Sequence, residues 1–481
     1  MPQPTRVRVR TCSTSSDSDA LDFFAAAGAL RAAGEAEIIV RFTRAFAEHP
    51  LYALRTLFYV RDVRGGLGER RLFRVLLRHL AFAAPASLEK NLKFVPGYGR
   101  WDDLLVLLDT PLEAAAVRLI RAQLEKDLRA AWEEQPVSLL AKWLPSVNTS
   151  SRVARRQARR LAILFGMREA DYRRMLVRLR RRIALIENAL RTRDYTFDYA
   201  KQPSKAMFKY RAAFRRNDME RYKAFLERVE RGEERLHTGT LYPYEIIRPL
   251  CIWGGGAAPS PEEAHALDVT WRALPDYTHG ENALVVLDGS GSMYWGGNPL
   301  PSSVALSLAI YFAERNTGAF HGHFITFSQN PRLVEIAGTA IVAKTLYCRT
   351  FNEVANTNLE AVFRLLLRAA VKSRVPQEEL PSVLYIITDM EFDACTVDAD
   401  VTNFERAKEL FAEAGYTLPR IVFWNVQSRS RQQPVRQNEQ GVTLVSGCSP
   451  SIFSMVVDGR ITPYEYMEQV LHSERYAAIA V

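Results

Sequence analysis

The stretch ALVVLDGSGSM, residues 283–293, joins a short apolar run to a small polar loop. The apolar run predicts a buried β-strand, and the glycines after it allow the chain to turn tightly. Asp288, Ser290 and Ser292 can then direct a carboxylate and two hydroxyl oxygens at one point. Such hard oxygen ligands suit Mg²⁺, with Mn²⁺ or Ca²⁺ as alternatives. The stretch therefore predicts a divalent-cation site, although taken alone D-G-S-G is equally typical of a simple turn.

Strands and helices alternate from Glu281 to the end of the chain. The predicted strands are ALVVLD, GHFITFS, RLVEI, VLYIITD, RIVFWNV and VTLVSG. Near-continuous apolar strands separated by helices predict a doubly wound, mostly parallel sheet that is covered on both faces. RLVEI is short and follows GHFITFS closely, so we expect it to be an antiparallel edge strand. Ligands of such sheets bind at the carboxyl ends of the strands, where both Asp288 and Asp389 lie.

The preceding part of the chain has a helical pattern. From Asp19 to His237, apolar residues recur at spacings of three and four, and Gly and Pro divide the pattern into helices of ordinary length. This predicts an all-helical domain of stacked, HEAT-like helix pairs, and hence an α plus α/β fold class. The predicted organisation is a disordered tail (1–18), a helical domain (19–252), a linker with a connecting helix (253–280) and an α/β domain (281–481).

The composition is that of a soluble globular chain. The formal net charge of +10 permits a polyanionic partner such as RNA without requiring one. The five cysteines are scattered, which predicts reduced thiols of a cytoplasmic protein. No stretch is long and apolar enough to span a membrane, and we expect a monomer.

Two basic stretches are candidates for RNA contact. Ser151–Arg182 contains twelve arginines and only two acidic residues, and 201–216 mixes basic residues with Phe208, Tyr210 and Phe214. Arginine suits phosphate, and aromatic rings can stack on exposed bases. The alternative is that the charges are solvated helix faces and the aromatics belong to the core. The predicted RNA-binding residues are Arg152, Arg155, Arg156, Arg159, Arg160, Lys201, Lys205, Lys209, Arg211, Arg215 and Arg216.

The polar groups near the strand ends resemble the metal-ion-dependent adhesion site of von Willebrand factor A domains. A D-x-S-x-S loop at Asp288 is followed by Thr357 in ANTNLE and by Asp389 after the strand VLYIIT. The resemblance implies that Ser290 and Ser292 bind the metal directly and that Thr357 binds directly or through water. It implies that both aspartates act mostly through water and that one coordination position stays open for an acidic side chain of a protein partner.

The whole chain resembles the Ro ribonucleoproteins, and more closely an uncharacterised Ro-like family with the same two-domain order. The matching segments are FYVRDVRGGLGERRLFR (58–74), GYGRWDDL (97–104), AKWLPS (141–146), YPYEI (242–246), DMEFD (389–393), VFWNV (422–426) and VSGCSP (445–450). The resemblance implies a helical TROVE-like module followed by a von Willebrand factor A domain. It also implies binding of small structured or single-stranded RNA. In the Ro proteins the helices form a ring closed by the von Willebrand factor A domain, and whether the helices of this chain close into a ring stays open.

Three hypotheses follow. The first is a non-enzymatic, Ro-like RNA-binding scaffold with a Mg²⁺ site for an acidic partner. The second is a metal-dependent protein-interaction module that binds no RNA. The third is a metal-dependent hydrolase built on Asp288, Asp389, Glu391 and Asp393, for which the sequence shows no second metal or catalytic base.

Overall fold

The computed structural model describes residues 18–183, 185–251, 258–278, 280–294, 298–351, 358–389, 406–426, 442–448 and 462–481. The chain forms two compact units. The helical unit comprises Gly34–Thr240 and Leu471–Val481, and the α/β unit comprises Met1–Ala33 and Leu241–Val470. The predicted boundaries divide the chain differently, because they place α1 (Asp19–Ala26) with the helices and the last residues with the sheet.

The helical unit is built from short and medium-length helices. They are α2 (Glu35–Glu48), α3 (Pro50–Arg61), α4 (Arg70–Ala83), α5 (Pro85–Asn91), α6 (Val95–Tyr98), α7 (Glu113–Trp132), α8 (Leu140–Trp143), α9 (Arg152–Leu164), α10 (Glu169–Arg182), α11 (Ile186–Thr192), α12 (Ser204–Asn217) and α13 (Met219–Glu230). Several neighbours in sequence pack against each other, among them α2 on α3, α3 on α4, α9 on α10 and α12 on α13. The predicted helical domain is confirmed, while the HEAT-like repeat stays a prediction.

Helix α10 shows why these segments fold as they do. Tyr172, Met175, Leu176 and Leu179 recur at helical spacing and are buried, whereas the arginines between them face solvent. The Tyr172 hydroxyl donates a 3.0 Å hydrogen bond to the carbonyl of Pro145. Three arginines occupy the last turn, where positive charge interacts favourably with the helix dipole. Packing of one apolar face therefore holds the helix in place, and the solvent-exposed face can contain charged residues.

A buried ionic centre connects α3, α4 and the 3₁₀ helix Trp101–Leu107. The fully buried Asp103 accepts hydrogen bonds from Arg61 Nε at 2.8 Å, Arg74 Nε at 2.7 Å and the Arg100 amide at 2.9 Å. A Cβ at Gly99 would lie 2.5 Å from Asp103 Oδ2, so only glycine fits there. The GYGRWDDL segment is thus explained by packing and charge pairing within the helical unit.

The last residues of the chain, 471–481, pack into the helical unit. The buried carboxylate of Asp62 accepts hydrogen bonds from the Arg475 guanidinium and from the Tyr476 hydroxyl, the latter at 3.1 Å. The Asn91 side chain accepts from the Ala480 amide at 3.1 Å and donates to the Ala480 carbonyl at 2.6 Å. Two hydrogen bonds to the backbone of Ala480 and a buried ion pair hold this segment in place.

The α/β unit contains a six-stranded sheet in the order β3-β2-β1-β4-β5-β6. Its strands are β1 (Ala283–Asp288), β2 (His323–Phe327), β3 (Leu333–Glu335), β4 (Val383–Thr388), β5 (Arg420–Asn425) and β6 (Val442–Ser446). All neighbours pair in parallel except β2 and β3, which are antiparallel. The predicted fold class is therefore confirmed, including RLVEI as an antiparallel edge.

Helices cover both faces of this sheet. Besides α1 they are α14 (Pro243–Ile247), α15 (Pro261–Arg272), α16 (Pro301–Ala313), α17 (Ile341–Cys348), α18 (Leu359–Ser373), α19 (described at 406–413) and α20 (Pro463–Leu471). On one face α16 packs against β1, and Phe312 stacks on Tyr385 of β4. On the other face a core cluster joins the strands to α18 and α19 through Phe363 and Phe411. None of the described helices combines the length and apolar character that crossing a bilayer requires.

Helix α1 contacts this sheet although the helix is distant from the strands in sequence. The Gly28 amide, just after the helix, donates a 2.9 Å hydrogen bond to Ser446 Oγ at the end of β6. A Cβ at Gly28 would lie 2.5 Å from the Ser446 carbonyl, so the close approach requires glycine. Phe24 makes an edge contact with Tyr466 of α20, at 5.9 Å between ring centroids. These contacts explain why α1 groups with the α/β unit.

Candidate metal site and nucleic-acid interface

Two carboxylates lie at the carboxyl ends of neighbouring parallel strands. Asp288 is the last residue of β1, and Asp389 directly follows Thr388, the last residue of β4. The register that pairs Leu287 with Ile387 brings these two strand ends together. Both aspartates are buried, with 2% and 0% of their surface exposed. Two buried like charges at one sheet edge are costly unless a cation or protons neutralise them.

The hydrogen bonds of Asp288 orient its side chain. Its Oδ1 accepts from the Ser290 amide at 2.8 Å, and its Oδ2 accepts from the Thr388 hydroxyl at 2.6 Å. Burial raises the pKa of Asp288 to about 6. The negative charge of Asp389 also raises this pKa, whereas the hydrogen bonds from Thr388 and Ser290 lower it. Both oxygens are engaged, which fits an aspartate that orients ligands or water rather than one that contacts a metal with both oxygens.

The two serines have a separation that fits Mg²⁺. Ser290 Oγ and Ser292 Oγ form a 3.1 Å hydrogen bond with each other at the start of the 3₁₀ helix Gly291–Tyr294, and both residues are half-buried. Adjacent ligands of an octahedral ion with bonds of about 2.1 Å lie about 3 Å apart, whereas the longer Ca²⁺ bonds of about 2.4 Å would separate them further. The hydroxyls and the nearby carboxylates are oxygen donors of the kind this ion prefers. The described residues therefore fit a small divalent cation.

Three residues of the sequence hypotheses lie outside the described residues. They are Thr357, the remaining predicted metal ligand, and Glu391 and Asp393 of the hydrolase hypothesis. Among the residues that the structure describes, no three His, Cys, Asp or Glu side chains form a metal-binding group. The described part of the site thus consists of Asp288, Asp389 and the two serine hydroxyls.

A cavity of about 160 Å³ adjoins Asp288 within the α/β unit. Cys251, Tyr294, Cys348 and Arg349 are among its lining residues. Burial raises the pKa of the Cys251 thiol to about 11 and that of the Cys348 thiol to about 12. Both cysteines are therefore protonated at neutral pH, and neither has the thiolate character of a nucleophile or a soft-metal ligand.

The predicted RNA-binding residues of α9 lie on one helix. Arg152, Arg156, Arg159 and Arg160 are exposed. Arg160 bonds Glu113 at 2.7 Å and Arg159 bonds Glu169 at 3.1 Å, while Arg156 lies 3.8 Å from Asp109. Arg155 differs, because its half-buried guanidinium donates to the carbonyls of Thr149 and Ser150 and supports the loop before the helix. The surface is basic, but acidic neighbours partly neutralise it.

The second predicted stretch mixes exposed and structural residues. Those whose side chains face solvent are Lys201, Lys205, Lys209 and Arg216, whereas Arg211 and Arg215 are half-buried. The Arg211 guanidinium covers the Phe208 ring at 4.0 Å from its centroid. Phe214 is completely buried and contacts the ring of Tyr199, so it cannot stack on a base. The alternative that the aromatic residues belong to the core is therefore correct for Phe214. The sequence left both alternatives open because its helical pattern does not show which face of the helix packs.

The arginines of α10 lie within the predicted basic stretch 151–182, but the predicted RNA-binding residues included neither them nor the aromatic side chain beside them. Trp132 at the end of α7 lies beside the exposed arginines of α10. Those arginines recur at steps of three and four from Arg173 to Arg182, which a helical projection of α10 reveals. The position of Trp132 beside them depends on the packing of α7 against α10, which no local pattern encodes.

Two family models match parts of this chain, and two known proteins are similar to it over most of its length. Residues 282–477 match DUF7788 and residues 148–276 match DUF2828, both described as domains of unknown function. Uncharacterized protein L728 of Acanthamoeba polyphaga mimivirus is 28% identical over 498 residues, covering 95% of this chain and 84% of the viral protein. The crystal structure of the Ro (RSR) protein of Deinococcus radiodurans has a TM-score of 0.48 and 15% identity, covering 93% of this chain and 100% of that one.

Proposed function

We propose that this chain is a non-enzymatic RNA-binding scaffold whose α/β unit carries a divalent-cation site. The observation that carries the RNA-binding part is the surface of Ser151–Arg182, where ten of twelve arginines are exposed. Guanidinium groups bind phosphate through two parallel hydrogen bonds and remain charged at all physiological pH values. The ligand class is small structured or single-stranded RNA, which meets these helices through its phosphates.

The ion pairs on α9 are compatible with this role. Arg159 and Arg160 pair with Glu169 and Glu113 at the protein surface, and such exposed pairs contribute only about 0–1 kcal/mol. A phosphate that replaces one of these carboxylates therefore displaces a weak interaction. Arg152 has no acidic partner among the described residues, and it is available to RNA without any exchange.

The test is RNA affinity as a function of salt. We expect reversal of Arg152, Arg156 and Arg159 to glutamate to weaken binding and to flatten the salt dependence, because each phosphate contact contributes about 0.7 to the slope for single strands. The matched control reverses three exposed basic residues of α18, Arg364, Arg368 and Lys372. Unchanged affinity after the α9 reversals would exclude α9 as a contact surface.

The cation part of the proposal is supported by the spacing of Ser290 and Ser292 and by the two buried aspartates beside them. Ser290 and Ser292 would hold Mg²⁺, and Asp288 and Asp389 would orient its waters. The ion would supply an open coordination position for an acidic side chain of a protein partner. This second function does not depend on RNA, so a protein-interaction module without RNA is the alternative if RNA binding fails.

Calorimetric titration with Mg²⁺ tests the cation site directly. We expect Ser290→Ala to weaken binding strongly, because it removes one oxygen ligand. Ser373→Ala, at the exposed end of α18, makes the same chemical change away from the site and should leave binding intact. Equal Mg²⁺ affinity in both variants would contradict the assignment, and turnover of phosphoesters would contradict the non-enzymatic role.

A further inference from the structure

The exposed face of α10 forms a wall of an open groove of about 810 Å³. Residues 170, 173, 174, 177, 178, 181 and 182 line it, and their spacing places them on one side of the helix. Five of these residues are arginines: Arg173, Arg174, Arg178, Arg181 and Arg182. Successive turns of the helix, about 5.4 Å apart, thus each present guanidinium groups to the groove.

Trp132 supplies an aromatic surface in the same groove. It is the last residue of α7, and 77% of its surface is exposed. The Arg178 guanidinium lies 5.4 Å from the centroid of its ring. A large aromatic side chain left in solvent is informative, because its burial would favour folding. An exposed indole beside arginines has the components of a base-stacking platform.

The positive charge of this groove is only partly neutralised. Arg182 pairs with Glu134 at 3.0 Å, and Arg174 pairs with Asp171. For Arg173, Arg178 and Arg181, no acidic side chain in the described part of the chain lies within ion-pair distance. Three guanidinium groups without counter-charges around an exposed ring favour a ligand that is both anionic and aromatic.

We propose that this groove binds single-stranded nucleic acid, with Trp132 stacked on a base and the α10 arginines on the flanking phosphates. The proposal rests on the proposed RNA-binding function and assigns a particular site within it. Single strands fit better than duplexes because their bases have free faces, whereas bases in a duplex already stack on their neighbours. The arginine forks match phosphate geometry, and the indole provides the sequence-tolerant contact.

The first experiment measures fluorescence anisotropy of a labelled oligouridylate with the full chain. Trp132→Ala should weaken binding about 5- to 150-fold, the range expected for loss of one stacked base at about 1–3 kcal/mol. Trp132→Phe should recover most of the affinity, since a phenyl ring also stacks. The matched control is Phe82→Ala, which removes an exposed aromatic ring elsewhere on the helical unit and should not change binding.

The second experiment tests the charges. Replacing Arg173, Arg178 and Arg181 together by alanine should lower the slope of log Kd against log salt by about 2, at about 0.7 per single-strand phosphate contact. The single change Arg368→Ala, at an exposed arginine of α18, should leave the slope unchanged. All these positions are exposed, so circular dichroism should show the same helix content in every variant.

The outcomes separate the site from the function. If the unmodified chain binds oligouridylate but Trp132→Ala and the triple alanine variant bind equally well, the groove assignment is wrong and RNA binding stands. If the unmodified chain binds no RNA, both fail. If Trp132→Ala weakens duplex binding as much as single-strand binding, or if polyglutamate competes as well as the oligonucleotide, base stacking is refuted.

Discussion

Replacing Asp288 by asparagine should make the metal-free protein more stable and remove its response to Mg²⁺. In the metal-free α/β unit, burial raises the pKa of Asp288 from 3.8 to about 6. Between these two pH values, Asp288 therefore keeps its proton in the folded chain but has already lost it in the unfolded chain. Stability must fall as pH rises through this window, by about 3 kcal/mol for a shift of roughly two units.

Asparagine avoids this cost with little loss of hydrogen bonding. Its Oδ1 can accept from the Ser290 amide, and its Nδ2 can donate to the Thr388 hydroxyl, which can reverse its role from donor to acceptor. We therefore expect Asp288→Asn to stabilise the unit by about 2–3 kcal/mol at neutral pH in EDTA. Saturating Mg²⁺ should stabilise the original chain, by about 2.7 kcal/mol at a hundredfold excess over Kd, but not the variant.

Urea unfolding at several pH values, in EDTA and in Mg²⁺, measures both effects. Because the chain has two compact units, the transition of the α/β unit has to be fitted separately. Glu409→Gln on α19 makes the same change from carboxylate to amide at an exposed position and should alter neither quantity. Equal stability of the original chain and Asp288→Asn in EDTA, with equal stabilisation of both by Mg²⁺, would refute the reasoning.

Two further predictions concern buried ion pairs of the helical unit. Asp103→Ala leaves the buried Arg61 guanidinium without its counter-charge, so urea unfolding should show a free energy of unfolding that is lower by about 3–5 kcal/mol. Adding Arg61→Leu to the same chain should largely reverse this loss. A loss below about 1 kcal/mol would mean that solvent screens the pair. Burial acts to raise the pKa of Asp62, but the hydrogen bonds and charge of Arg475, together with backbone hydrogen bonds from Arg64 and Gly65, outweigh it and lower the pKa. This carboxylate therefore contributes stability above its unfolded pKa, about 3.9, that is lost as pH falls through the folded value. Arg475→Leu should lower the free energy of unfolding by about 1–3 kcal/mol at neutral pH, less than for a fully buried pair because Arg475 is 38% exposed. It should also flatten the fall of stability at acid pH. An unchanged dependence of stability on pH would contradict this pairing.

The sheet and the described residues of the candidate metal site were predictable because their determinants are local. Each strand is a short apolar run between turn residues. The short length of RLVEI and its short connection to the preceding strand predict that it is an edge strand. Asp288 and Asp389 follow two such runs, and parallel neighbours bring their carboxyl ends to one edge. Chain order and residue type therefore suffice to place these two carboxylates together.

The features that escaped prediction depend on contacts between distant segments. Helix α1 has an ordinary helical pattern, and its contacts with the distant Ser446 and Tyr466 are what assign it to the α/β unit. Arg475 has no local reason to pair with Asp62, which lies 413 positions away. Trp132 remains exposed beside α10, and this position depends on the packing of α7 against α10. Apolar patterning tells which residues favour burial but not which surfaces meet.

The most direct test of RNA binding is the affinity of the purified chain for a short single-stranded RNA and for a structured small RNA, measured from low to physiological salt. RNA binding through the arginines of α9 and α10 predicts tight association at low salt, a steep loss of affinity with added salt, and a shallower slope after reversal of Arg152, Arg156 and Arg159. Absence of binding to both RNAs at low salt would contradict it. A salt slope that the reversals and the α10 alanine changes leave untouched would also do so.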